Sequence, residues 1–129
     1  MINLYINERR VGDVTILDLK GRTRVGGSTV SLHRSIHSLI KEEKTLILLN
    51  LPGVTHIASA GLGELIASYV TARGKGGDIK LLKVTETLRE LMSITNLLDV
   101  FDVYENEPDA LASFSNHVLT VKKPQHFFV

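Results

Sequence analysis

The sequence predicts an α/β domain built on a mostly parallel sheet, and three observations carry that reading. First, Thr45-Leu-Ile-Leu-Leu-Asn-Leu51 is a near-continuous apolar run. Such a run marks a strand covered on both faces. Second, strand-like and helix-period stretches alternate along the chain after an opening hairpin, in the order ββ-α-β-α-β-α-β-α. Repeated β-α units close with right-handed crossovers onto parallel strands. Third, Val54-Thr-His-Ile-Ala-Ser-Ala-Gly-Leu-Gly63 joins the central strand to the next helix. Open α/β sheets place their sites at such carboxyl-end turns.

Each element has its own signal. Leu4 and Ile6, then Val14, Ile16, Leu17 and Leu19, flank Gly12-Asp13 and read as the hairpin. Ser28 or Thr29 is placed to cap a first helix, whose apolar side is Val30, Leu32, Ile36, Leu39 and Ile40. Lys41 to Lys44 close it with charge. Leu62, Leu65, Ile66, Tyr69 and Val70 recur at the spacing of an amphipathic helix, with Ser59 as its expected N-cap. That helix runs to about Ala72, and Arg73-Gly-Lys-Gly-Gly77 reads as its C-cap rather than a phosphate loop, because this glycine run ends a helix.

Ile79, Leu81, Leu82 and Val84 form the next strand. Thr85 or Thr87 starts a third helix, and Thr87-x-x-Glu90 matches a capping box. Leu88, Leu91, Met92 and Thr95 make its inner face, and Asn96 is suited to end it in a left-handed conformation. Phe101 to Tyr104 form a last short strand. Glu107-Pro108 opens a fourth helix, expected to end near Phe114. His117-Val-Leu-Thr-Val121 then reads as a strand-like tail segment ahead of Phe127-Phe128-Val129.

Composition narrows the function classes. At 129 residues, one domain is expected, large enough to bury a core without staples. A net charge of +1 gives no ground for a general nucleic-acid or membrane-surface binder. The absence of cysteine excludes disulfides, thiol catalysis and thiolate metal sites, and suits a cytoplasmic location. The opening residues show no basic leader followed by an apolar block.

Enzymatic chemistry finds little support. Ile57-Ala-Ser59-Ala-Gly61 lacks the first glycine of a nucleophile elbow. His33 and His37 share a helix face, but Arg34, Ser35 and Ile36 between them leave out the glutamate of the zinc-protease pattern. No phosphate-loop motif is present. No cofactor or metal is expected. What remains is a turn of small residues, one hydroxyl and an open helix start, suited to contact with a partner.

The chain resembles a STAS domain, the family of bacterial anti-sigma-factor antagonists. The resemblance rests on three stretches: Leu46-Ile-Leu-Leu-Asn-Leu-Pro-Gly-Val54; Ser59-Ala-Gly-Leu-Gly63, similar to the family's Asp-Ser-Ser-Gly-Leu-Gly; and Leu91 with Leu97 and Phe101. It implies an α/β fold in which the hairpin and β-α units share a mixed sheet, with four helices stacked mainly on one side. Residues 1–115 are expected to be the STAS domain and 116–129 a C-terminal extension.

The resemblance also implies a binding module rather than an enzyme, whose partner is a kinase-like anti-sigma factor, with no nucleic acid bound directly and no insertion into a membrane. The expected contact residues are Ser59, Ala60 and Gly61, flanked by His56 and Glu64, with Arg22 and Arg24 from the loop before the first helix. In the family, phosphorylation of the hydroxyl residue ahead of Gly-Leu-Gly abolishes binding. Here that position is Ala60, and Ala58 stands where the family has Asp. Ser59 matches the family's other serine and is a poor substitute acceptor. The expected protein is an antagonist without the usual switch. The alternatives are an accessory subunit of a lipid-transport ATPase and a scaffold in a larger signalling assembly; a homodimer is left open.

Overall fold

The computed structural model describes residues 4–21, 26–54, 57 and 59–120. β1 (Leu4–Val11) and β2 (Val14–Gly21) form the hairpin, followed by α1 (Gly26–Lys41), β3 (Leu46–Asn50), α2 (Ser59–Gly74), β4 (Asp78–Leu82), α3 (Glu86–Ile94), a 3-10 turn (Leu97–Asp99), β5 (Val103–Tyr104) and α4 (Glu107–Thr120). The five strands lie in sequence order, β1-β2-β3-β4-β5. β1 runs antiparallel to β2, and every later pairing is parallel.

β3 is the middle strand, and Ile47, Leu48 and Leu49 are wholly buried because helices cover both faces. Successive side chains of a strand point to opposite faces, so β3 divides the core in two. Ile47 and Leu49 join Leu17, Leu19, Ile79 and Leu81 beneath α1, α2 and α3. Leu48 joins Ile16 and Leu82 beneath Ala110 and Phe114 of α4. Three helices thus stack on one face, and α4 takes the other.

Four local expectations are corrected. α1 begins at Gly26, ahead of both Ser28 and Thr29. The Thr87–Glu90 capping box does not open α3, since Thr87 lies inside the helix; of the two expected starts Thr85 is the cap, its hydroxyl accepting from Leu88 N at 3.2 Å, three residues on, where an N-cap acts. Thr95 is that helix's exposed end, and its hydroxyl bonds back to Leu91 O at 2.9 Å. α4 does not stop near Phe114 but continues to Thr120, so His117 to Thr120 are helical and not a strand. Its buried Ala110 and Phe114 stand at helical spacing, and adding a residue to a formed helix is easier than starting a strand. The end of the tail, with Phe127, Phe128 and Val129, lies outside the described residues.

Other readings hold. Gly12 turns the hairpin at φ +60°, Gly76 within the glycine run turns the chain after α2 at φ +84°, and Asn96 sits at φ 63° after α3. The α2 C-cap bonds run from Gly76 N to Arg73 O and from Gly77 N to Ala72 O.

Charges fasten α4 to the sheet. Arg9 on β1 reaches Asp18 on β2 at 2.6 Å and Glu107, the first residue of α4, at 2.6 Å. Asn50 on β3 donates to Asp18 at 2.7 Å. The Arg9 guanidinium holds the Asp18 carboxyl down at about 2 and lowers Glu107 as well. A carboxylate lowered on folding stabilises the fold above its ordinary 3.8, and that contribution is lost as pH falls towards about 2. With Arg9 more than a third exposed, we expect Asp18 to contribute on the order of 1–2 kcal/mol at neutral pH. Asp18→Asn should flatten the acid side of a stability-against-pH curve. An unchanged acid limb by urea denaturation at each pH would contradict this role.

On the same face, the buried Lys80 Nζ donates to Ser113 Oγ at 2.9 Å, lies 3.7 Å from Asp102 and sits 4.9 Å from the Phe114 ring centre. With the Tyr104 ring of β5 centred 5.6 Å from the same Nζ, these contacts join β4, β5 and α4 around one cation.

Candidate functional site

The site is built where β3 hands the chain to α2. Leu51 continues the sheet by one bond, its N–H donating to Leu82 O at 2.9 Å. The chain then turns through exposed Pro52 and Gly53 and returns to the core at Val54 and Ile57. Val54 O accepts from Thr85 Oγ1 at 2.7 Å, while the same hydroxyl caps α3. One threonine therefore pins the approach to α2 against the start of α3. Such anchoring matters because binding loops act best when a rigid scaffold positions them.

α2 opens at Ser59 with no acidic residue in its first turn, so its positive N-terminal end is not neutralised from within that turn. Gly61 is buried, as are Leu62, Leu65 and Tyr69. Tyr69 meets Phe101 edge to face at 5.0 Å. Ile66 packs partly against the core, but Val70 does not belong to the inner stripe: it is 62% exposed. A helix advances 100° per residue, so the position after Tyr69 turns outward. The outward face near the opening carries Gly63 and Glu64, both exposed, and a Cβ added at Gly63 would meet no heavy atom within 4 Å.

Of the expected contact residues, Ser59, Ala60, Gly61 and Glu64 fall together in the first two turns of α2. Gly61 is reachable there only as packed backbone, whereas Glu64 offers a side chain. Arg22, Arg24, His56, Thr55 and Ala58 lie outside the described residues. The sequence reading missed His33 of α1. Its Nδ1 lies 3.5 Å from Glu64 Oε1, an ion pair when the ring is protonated, and its ring meets His37 edge to face at 5.0 Å. His33 thus borders the α2 surface through Glu64, with His37 packed behind it. Their four-residue spacing shows a shared face, but nothing in a single sequence says which neighbouring helix that face meets.

A five-stranded sheet opened by a hairpin, three helices on one face and a glycine-bearing turn ahead of α2 define a small α/β module. The STAS domain model matches residues 5–110, and the chain belongs to that family. It is 24% identical over 110 residues to the anti-sigma F factor antagonist of Paenibacillus polymyxa, covering 85% of this chain and 94% of the relative. It is 30% identical over 64 residues to the anti-sigma-B factor antagonist of Bacillus subtilis (strain 168), covering 50% of this chain and 59% of that one. The crystal structure of an anti-sigma factor antagonist from Mycobacterium paratuberculosis shares the fold, with a TM-score of 0.76 and 18% identity over 88% of this chain and 95% of the other.

Proposed function

We propose that this protein is an anti-sigma-factor antagonist that binds a kinase-like anti-sigma factor in the cytoplasm and thereby frees a sigma factor. It acts by binding and not by catalysis. The observation that supports this reading most is the opening of α2: a pinned turn leads into a helix start with no acidic residue in its first turn, beside an exposed glycine and a carboxylate. Small residues there let a partner backbone approach closely, and Glu64 with His33 offers a polar rim. The two relatives are named as antagonists of anti-sigma factors, which supports an anti-sigma factor as the partner.

Ala60 at the family's acceptor position removes the hydroxyl that a kinase would need. Binding is therefore constitutive, and control of the sigma factor rests on the amount of this protein rather than on its modification. Adding the purified protein to a preformed complex of the cognate anti-sigma factor and sigma factor should release the sigma factor and leave the antagonist co-eluting with the anti-sigma factor. A sigma factor that stays bound in the presence of excess antagonist would overturn the assignment.

A further inference from the structure

A cleft of about 530 Å³ lies between the β1–β2 turn and α4, at the end of the sheet remote from the α2 opening. Its walls include Val11, Val14, Leu46, Leu111 and Phe114, with Asp13 on the hairpin side. Val11 is a large apolar side chain left 40% exposed. We infer that this cleft is the seat of the chain's own segment 121–129, with Phe127 and Phe128 as the side chains that fill it.

Tether, chemistry and charge point to the same occupant. α4 supplies one wall through Leu111 and Phe114 and carries the chain on to Thr120. The six residues from Ser115 to Thr120 take it only about 9 Å along the helix axis. Nine further residues can span up to about 30 Å, so a return to the cleft is well within reach. Pro124 cannot extend a helix and favours a change of direction. Phe127, Phe128 and Val129 form the one run of three apolar residues in this segment, and they match an apolar lining. Lys122 and Lys123 precede them, opposite in sign to the exposed Asp13. A segment held by so short a linker has a local concentration of about millimolar, far above that of a free competitor.

The cysteine-free sequence allows a clean test. In a Val11→Cys/Val129→Cys variant, mild oxidation should close an intramolecular disulfide about tenfold faster than in a Ser93→Cys/Val129→Cys control, whose first cysteine lies on α3 across the sheet. Adding Phe127→Ser and Phe128→Ser should bring the fast pair down to the control rate. Equal rates in the two pairs would overturn the inference. So would a product joining two chains, or a fast rate that survives loss of both phenylalanines. Circular dichroism of every variant confirms that the fold is retained before rates are compared.

Discussion

Gly77→Ala should destabilise the fold by roughly 3 kcal/mol, close to the most that one added methyl group brings about. A Cβ at Gly77 would stand 2.2 Å from Thr45 O and 2.3 Å from Thr45 Cβ. Neither side can retreat easily. Gly77 N donates to Ala72 O at 2.8 Å and Asp78 N donates to the same Thr45 O at 2.8 Å. One residue later Asp78 pairs with Leu46 in the β3–β4 ladder. Relieving the clash would therefore pull on the central strand pair and on the end of α2 together. Gly74→Ala is the control: a Cβ there meets nothing within 4 Å. Urea denaturation should show a large loss for the first variant and no loss for the second. Equal stabilities would mean that the Thr45–Gly77 contact is not tight.

Gly63→Arg should weaken binding of the anti-sigma factor by at least about a hundredfold, which is roughly 3 kcal/mol. The substitution places a long charged side chain on the exposed face of α2 at the proposed contact. Folding should hardly notice. There is open space at Gly63. Replacing a helical glycine contributes about 1 kcal/mol of helix propensity, offset in part by about 0.5 kcal/mol for a cation near the helix N-terminus. Thermal unfolding should be unchanged or slightly higher while complex formation is lost. Gly61 would be the poorer choice, because it is buried and an arginine there would disturb packing as well. Wild-type affinity in the folded Gly63→Arg variant would move the contact off α2.

Much of the fold was legible because its strongest signals are local. The apolar run 45–51 reads as a doubly covered strand, and Gly12, Gly76 and Asn96 stand where the backbone adopts positive φ. Reading failed where local preference competed with packing. His117 to Thr120 contain β-branched residues, yet they continue a helix whose place is set by Ala110 and Phe114 against Ile16, Leu48 and Leu82. Val70 looks apolar and periodic but lies one step beyond the inner stripe. The Arg9–Glu107 contact joins residues 98 positions apart, and no periodicity reveals it. The site followed the same rule. The α2 opening was readable from Gly61, Gly63 and the helical period behind them. The Thr85–Val54 anchor and the approach of His33 to Glu64 depend on how separate elements pack.

The most direct measurement concerns the hydroxyl that Ala60 lacks. The protein is incubated with its cognate anti-sigma factor and ATP, phosphate is mapped by mass spectrometry, and the complex is followed by gel filtration. On the proposal that Ala60 occupies the family's acceptor position, the protein should stay unmodified and the complex should persist with ATP as without it. Stoichiometric phosphate on Ser59 or Thr55, with the complex dissolved, would contradict constitutive binding.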